Sequence, residues 1–384
     1  MHLAIVTHRL VRGDGQGRVN LEIARAAAAH GHIVSLVASE VDRDLIKHPH
    51  IHWIPIHVGQ LPTELIRNQV FAWKSNRWLT TYCNTLDCVI SNGCITWTPA
   101  DINIAHFVHS AWLRSSGHTA YSHSGAYGWY QWIYTWLNAV WERRAYRQAK
   151  TVVAVSDAVR RDLEAAGIPP SSIVTIPNGV DLDEFQPSPV DTPKASPSAT
   201  GPVGLFVGDL RTRRKNLDTV LRALQDVPDF HLLVAGDKSD SPYPALASTL
   251  GLSDRVHFLG YAQNIPALMR AADVCICPSR YEPFSLVAFE SLASGTPVIT
   301  SRNVGAARYL SPECAWIIDD PEDHVSLAAA VKELAEKTRQ DPSRIASMRG
   351  AARQQAENYS FTRMTERYLH LMENQYATND ACSA

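Results

Sequence analysis

Residues 3–38 read LAIVTHRLVRGDGQGRVNLEIARAAAAHGHIVSLVA, and three segments of this stretch decide the fold. Leu3 to Thr7 is an apolar run of strand length, Val19 to His30 is an Ala-rich helical pattern that stops at Gly31, and Ile33 to Ala38 is a second apolar run. Strand, helix and strand in so short a span predict a parallel pair joined by a right-handed crossover. Cys88–Ile90, Ile104–Val108 and Thr151–Val155 read as further strands.

Outward from this unit, residues 186–202 (QPSPVDTPKASPSATGP) hold five Pro and almost no large apolar side chain, which is linker composition. The alternation then restarts. Val203–Val207, His231–Ala235, Val256–Leu259, Val274–Cys277 and Pro297–Thr300 read as strands and Asn216–Leu224 as a helix. The expectation is an α/β chain of two doubly wound, Rossmann-like domains, residues 1–185 and 203–358, facing a cleft at the carboxyl ends of their strands. In the remaining segment, 359–384, Phe361, Met364, Tyr368, Leu371 and Met372 recur at helical spacing, giving a helix with one apolar stripe to pack back on a domain.

A length of 384 residues suits two or three domains at roughly 100–200 residues each. With 36 basic and 38 acidic residues the net charge is −2, so no global basic field exists to hold nucleic acid. The halves differ: residues 1–170 carry 16 basic and 12 acidic groups, 12 of the 16 His and nine of the ten Trp. Different ligands for the two halves would explain this. Seven Cys without a C-x-x-C pair predict reduced thiols in a cytoplasmic protein, with Cys275 and Cys277 as core residues. The apolar stretch at Met1–His8 is too short for a signal peptide, and no uncharged apolar run reaches the roughly 18 residues of a membrane span, so any membrane contact is expected to be peripheral, at the inner face.

The strongest chemical signal is Arg280-Tyr-Glu282-Pro-Phe-Ser-Leu-Val-Ala-Phe-Glu290, which follows an apolar strand and ends in a helical pattern closed by Gly295. A helix start at the end of a parallel strand offers free N–H groups and the positive end of a dipole, a phosphate site. Upstream, Arg211, Arg213, Arg214 and Lys215 place four cations in five positions after another strand, suited to stabilising a departing diphosphate. Bland readings compete: a solvated Glu on an ordinary helix, and a solvated basic loop. Gly13-Asp-Gly15-Gln-Gly17 imitates a dinucleotide fingerprint with Glu40 as the ribose acid, but His8 to Arg12 makes the loop too long for the tight turn that fingerprint needs. His48-Pro-His50-Ile-His52 reads as a surface loop, and Asp181-Leu-Asp183 as a turn rather than a metal motif. From Trp112 to Tyr146 ten Trp and Tyr side chains read as core, as sugar-stacking faces or as interfacial anchors; Arg143, Arg144, Arg147 and Lys150 add charge for an anionic acceptor or lipid surface.

Glu282-x7-Glu290 followed by Ser-Leu-Ala-Ser-Gly-Thr-Pro-Val-Ile resembles the signature of glycosyltransferase family 4, retaining enzymes with the GT-B fold. Six further motifs stand in the family's order: Gly15-Gln-Gly17, Val152–Ser156, Ile176–Asp181, Gly208–Lys215, Val256–Gly260, and Ala272-Asp273 leading to Pro278-Ser279. The resemblance implies that Glu290 holds a nucleotide ribose and Glu282 contacts the donor sugar. It assigns phosphate or sugar oxygens to the amides of Phe284, Ser285, Leu286 and Val287. It further implies that Lys215 neutralises the diphosphate with a second cation, Arg211 in preference to Arg213 or Arg214; that Arg214 joins the donor site; that Gly15 and Gly17 approach the donor phosphates; and that His109 lies by donor sugar and acceptor. Three positions depart from the pattern: Asp209 where Arg is usual, Ser285 where Gly is usual, and Gly305-Ala-Ala-Arg308 where Gly-Gly and an acid are usual.

The function so implied is transfer of a sugar, with retention and without a metal, from a UDP- or GDP-linked donor bound by residues 203–358 to a hydroxyl of a sugar or lipid-linked acceptor bound by residues 1–185. The nucleotide-sugar is then a substrate, and no cofactor is required. A nucleotide-sugar epimerase of the same fold and an NAD-dependent oxidoreductase are the alternatives.

Overall fold

Alternating apolar runs and helical stretches build two large parallel sheets, beside a two-stranded parallel pair of Arg9–Leu10 with Glu40–Val41, in the computed structural model, which describes residues 1–123, 125–187 and 201–383. The described residues fall into two compact units. The first comprises Met1–Leu113, Trp132–Gly179 and the chain from Phe361 on; the second comprises Arg114–Gln131 and Val180–Ser360. The expected Pro-rich linker lies, from 188 to 200, outside the described residues.

In the first unit the strands are β1 (His2–Val6), β2 (Ile33–Ala38), β3 (Ile51–Pro55), β4 (Cys88–Ser91), β5 (Ile102–Ala105), β6 (Thr151–Ala154) and β7 (Ile173–Thr175), in the order β3-β2-β1-β4-β5-β6-β7. All pairs are parallel, and the middle strands are buried on both faces, which explains their unbroken Val and Ile runs. Helix α1 (Gly15–Ala29) makes the first crossover; Asp14 caps it by accepting from the Gly17 amide at 2.6 Å. The cap starts this helix four residues before the Ala-rich pattern becomes legible. Two other readings need correction. The strand expected at 104–108 runs from Ile102 to Ala105, because the Asp101 carboxylate accepts from the Val89 amide and its carbonyl from the Thr151 amide, starting the strand two residues earlier. The expected loop at His48–His52 contributes β3, an edge strand with Pro55 at its end, where a missing N–H costs no ladder bond. Two long helices follow in chain order, α2 (Glu64–Tyr82) and α3 (Ala126–Gln148).

In the second unit the strands are β8 (Val203–Val207), β9 (His231–Ala235), β10 (Val256–Gly260), β11 (Val274–Cys277), β12 (Val298–Ser301) and β13 (Ala315–Ile318), in the order β10-β9-β8-β11-β12-β13. Helix α4 (Leu217–Leu224) presses Leu217, Val220, Leu221 and Leu224 into a core with Phe230, Val234, Ile276 and Val331. Helix α5 (Leu286–Ala293) begins two residues later than Phe284, since Ser285 has φ +91° and breaks the helical path. Cys275 and Cys277 are buried, as free thiols in β11.

The chain changes unit at Leu113/Arg114 and Gln131/Trp132, inside the stretch 1–185 expected as one domain, and again at Gly179/Val180 and Ser360/Phe361, where the sequence suggests 185 and 358. A bridge joins the last two of these positions: the Val180 amide donates to the Tyr359 carbonyl at 2.8 Å. The C-terminal helix Phe361–Ser383 lies in the first unit, buries Met364, Tyr368 and Met372, and sets the Phe361 ring 5.4 Å below the Arg18 guanidinium.

Candidate functional site

Strand order reverses in the second sheet between β8 and β11, and open α/β sheets bind ligands beyond the carboxyl ends of the strands at such a step. The loops leaving these two strands, 208–216 and 278–285, carry the groups singled out from sequence. Lys215 Nζ lies 2.5 Å and Arg214 Nη1 3.0 Å from the same oxygen, Oε2 of Glu282. Lys215 and Glu282 side chains are 14% and 13% exposed, so the pair is screened little by solvent. Burial acts to raise the Glu282 pKa, yet the adjacent Lys215 and Arg214 hold it down to about 2, and the carboxylate stays ionised. Two cations and one anion leave a local excess of positive charge.

Several devices hold this cluster. Gly208, at the end of β8, gives passage to the Lys215 stem: a Cβ there would stand 3.0 Å from Lys215 Cγ. Asn216 takes a left-handed conformation (φ 68°, ψ 36°) and donates through Nδ2 to the carbonyls of Pro278 and Pro321, at 2.9 and 2.6 Å. Arg280 is the hub. Its side chain is fully buried, forks onto Asp218 at 2.8 and 2.9 Å, reaches Glu322 at 2.5 and 2.8 Å, and donates to the Arg213 carbonyl at 2.7 Å; its amide donates to the Arg214 carbonyl at 2.9 Å. The guanidinium and amide of one residue thus fix the backbone from which two cations project. Arg280 opens the motif read from sequence, but its partners lie 62 and 42 residues away, so no local spacing announces its role.

Arg211 stands elsewhere. Asp209, two residues before it, takes its Nε at 3.1 Å on an exposed edge, and the structure groups Arg214 with Lys215 in its place. Arg213 is half exposed and lies 3.7 Å from Asp218.

Beyond Glu282, the carbonyls of Glu282 and Phe284 accept from the amides of Gly305 and Ala306 at 2.8 and 2.7 Å. The Phe284 ring is buried and stacks on Phe289, with 5.1 Å between centroids. Ser285 Oγ caps α5 by accepting from the Ala288 amide at 3.3 Å, while Leu286 and Val287 form the half-buried first turn. Glu290 is half-buried one turn further along α5. Arg308 is exposed, at the end of the short turn Gly305–Tyr309.

The remaining candidates belong to the first unit, whose sheet reverses between β1 and β4. There a cavity of about 200 Å³ is lined by His8, Gln16, Asn92, His106, His109 and Glu142, among others. Buried amides shape it: Asn92 and Asn20 exchange hydrogen bonds at 3.2 Å, Asn92 donates to the Val6 carbonyl, and Asn103 bonds both the amide and the carbonyl of Gly93. His109 Nδ1 is 2.7 Å from Oε1 of Glu142, whose other oxygen accepts from the His109 amide at 2.9 Å. Glu142 is 5% exposed and escapes a sequence reading because it is one acid in an aromatic helix. Burial lowers His106 to about 3 and His8 to about 4, the latter against the pull of Asp14, so both are neutral near pH 7. Gly15 and Gly17 lie in the first turn of α1; a Cβ on Gly17 would come within 3.0 Å of the Arg9 carbonyl. Glu40 pairs with Arg9 at 2.8 Å, so the acid of the dinucleotide reading has a local partner. Asp181 Oδ1 accepts from the amides of Asp183 and Glu184, which makes that D-x-D a turn.

A family model described as Glycosyltransferase Family 4 matches residues 13–184, and one described as Glycosyl transferases group 1 matches residues 191–355. The chain is 32% identical over 210 residues to a lipopolysaccharide core biosynthesis mannosyltransferase of Rhizobium meliloti; the match covers 50% of this chain and 57% of that relative, little more than half its length. It is 27% identical over 367 residues to a probable transglycosylase of Burkholderia thailandensis, covering 94% of this chain and 93% of that one. The structure of sucrose-phosphate synthase from Thermosynechococcus elongatus matches with a TM-score of 0.81 at 21% identity, covering 98% of this chain and 99% of that chain, which shows a shared GT-B fold. Matched along both halves and alike in fold, the chain belongs to glycosyltransferase family 4.

Proposed function

We propose that this glycosyltransferase moves a hexosyl group, with retention of anomeric configuration, from a UDP- or GDP-linked donor to a hydroxyl of a sugar or lipid-linked acceptor. The observation that carries the reading is the cluster of Lys215, Arg214 and Glu282 beside the first turn of α5, at the strand reversal of the second sheet. Departure of a nucleoside diphosphate concentrates negative charge on its terminal phosphate. Lys215 and Arg214, held in place before the reaction, stabilise that charge more in the transition state than in the ground state, and the Leu286 and Val287 amides add the helix N-terminus. In this reading Arg214 is the second cation, the place expected for Arg211.

Glu282 keeps the cations oriented and contacts the donor sugar, and Glu290 binds the ribose. The acceptor hydroxyl attacks from the face that the phosphate leaves, and a phosphate oxygen takes its proton, so the reaction calls for neither a separate strong base nor a cofactor. Two fixed cations supply the charge that a metal would otherwise bring. The first unit, with His109 and the polar cavity, offers the acceptor surface, and the enzyme acts in the cytoplasm.

The test is a panel of UDP- and GDP-sugars scored by thermal stabilisation, followed by release of nucleoside diphosphate with and without candidate acceptors in EDTA. Acceptor-dependent release with an α-linked product from an α-linked donor is expected. A β-linked product, release that EDTA abolishes, or sugar isomerisation without an acceptor would each overturn the corresponding part.

A further inference from the structure

We infer that Glu142 is a positioning residue: it turns His109 so that Nε2 of the imidazole accepts a hydrogen bond from a hydroxyl of the sugar in the first-unit cavity. This role rests on the function proposed above, transfer of a sugar with His109 beside it. Glu142 comes from the second half of α3, and His109 opens the short helix His109–Trp112 that follows β5. The two stand 33 residues apart, and one carboxyl group spans two atoms of the same partner. Oε1 lies 2.7 Å from the imidazole Nδ1, and Oε2 accepts from the His109 backbone amide at 2.9 Å. An imidazole held both through its ring and through its own backbone has little choice of orientation left.

A nitrogen and an oxygen at 2.7 Å hold a proton between them, since two lone pairs that close would repel. Carried on Nδ1, that proton fixes the tautomer and leaves the ring's lone pair on Nε2. Nε2 is then the nitrogen left to the cavity, which His109 lines together with Gln16, Asn92 and Asn138.

Burial shows what Glu142 is for. The residue is 5% exposed, and a carboxyl group withdrawn from water needs partners in compensation. Among the described residues, both of its hydrogen-bonding and ion-pairing contacts belong to His109. The wall behind it is shaped to fit. Gly93 has φ +66°, and a Cβ there would stand 3.4 Å from Glu142 Oε1 and 3.6 Å from the Tyr146 hydroxyl; Asn103 holds this turn through the amide and the carbonyl of Gly93. The other histidines of the cavity, His8 and His106, are kept neutral near pH 7 by burial, so neither competes for the carboxyl group as a cation. A purely structural role is the competing account, because Val108 at the N-cap of His109–Trp112 has no side-chain acceptor and Oε2 takes the first amide in its place. That role uses Oε2 alone and gives no reason for the contact of Oε1 with the ring.

Two measurements on the full chain separate the accounts. In nitrogen NMR of histidine-labelled protein at about pH 8, with His109 identified by the signals missing from His109→Ala, Nε2 should be the nitrogen without a proton. Glu142→Gln has the same size, keeps an oxygen for the His109 amide and turns an NH2 group to Nδ1, so the proton should move to Nε2. In turnover of UDP-glucose or GDP-mannose, whichever the chain uses, Glu142→Gln should lower kcat/KM about 10- to 100-fold, as loss of a group that orients a histidine does. Combined with His109→Ala it should cost nothing beyond His109→Ala alone. A mere cap would lower the melting temperature, leave the tautomer unchanged and multiply with His109→Ala. A proton on Nε2 in the unaltered chain, multiplying losses, or unaltered turnover in Glu142→Gln would each overturn the proposal. Full turnover in His109→Ala would remove the role proposed for His109 as well, whereas a crippled His109→Ala beside an active Glu142→Gln removes that of Glu142 only. The spectrum of the unaltered chain decides the tautomer even if Glu142→Gln fails to fold.

Discussion

The two sheets reverse strand order at the same step, from their first strand to their fourth, and what each unit places beyond that step is opposite in kind. The first holds a cavity lined by amides, by neutral His8 and His106, and by His109 held on the Glu142 carboxyl group. The second holds ions packed against ions: Arg280 with Asp218 and Glu322, then Lys215 and Arg214 with Glu282. One topology therefore supplies a position and leaves the electrostatics to the loops. A neutral polar lining suits hydroxyl groups, which need matched donors and acceptors; a preorganised excess of cations suits a leaving diphosphate.

The largest effect expected to break the contrast is Arg280→Leu. Removing the fully buried guanidinium leaves Asp218 only the half-exposed Arg213 and Arg222 and takes the partner of Glu322 as well, so about 3 kcal/mol of second-unit stability, the low end for a broken buried pair, should be lost in urea unfolding. A loss below about 1 kcal/mol would mean that the ion network is not what holds the loop. Lys215→Ala should next cost roughly 10²–10³ in kcat, as removal of one preorganised charge donor does. Unaltered turnover would strip the cluster of its assigned role. Glu290→Ala should raise the donor KM by about 10- to 100-fold with a smaller change in kcat, since a charged hydrogen bond is worth about 1.5–3 kcal/mol. An unmoved donor KM would count against a ribose contact.

Acid should sharpen the comparison. His106 titrates near 3 when folded and at 6.5 when free, so the stability it contributes is complete above pH 6.5 and is lost as pH falls towards 3, by up to about 1.4 kcal/mol per pH unit. His8, near 4 when folded, acts in the same direction. Glu282, near 2 against an ordinary 4.5, contributes stability that is intact above pH 4.5 and lost below it. Hydrogen exchange at pH 5 should therefore show the first unit loosening while the second keeps its protection; loosening in the reverse order would contradict the assignment. The smallest effect is Ser285→Gly. It relieves a left-handed backbone at the cost of a weak cap, with a net gain of about 0.5–1 kcal/mol readable as a higher melting temperature.

Most of the fold was legible because parallel strands buried on both faces are unbroken apolar runs. Leu3–Thr7, Val203–Val207 and Val274–Cys277 needed no other signal. Elements half in solvent were not legible: β3, an edge strand, reads as a His-rich loop, and α2 alternates polar and apolar residues without a strong stripe. The candidate site was legible as a pair of loops and less so as a geometry. Lys215 and Glu282 meet as the motif order suggests, but that Arg214 rather than Arg211 joins them follows from Asp209 pairing with Arg211, a local competitor whose reach no spacing rule reports. Arg280 and Glu142 went unread for a common reason. Each acts through partners distant in the chain, and a buried charge has no sequence signature until its counterion is known.

Gly208 bears no charge and touches no charged group except through its neighbour's methylenes, yet it governs where a charge sits. A Cβ at this position would press on the Lys215 stem at 3.0 Å from Cγ, so the volume of one side chain acts as a ruler for where the ammonium stands. A graded series at 208, from Gly through Ala to Val, would turn steric bulk into a calibrated displacement of the cation while leaving the charge inventory of the site untouched.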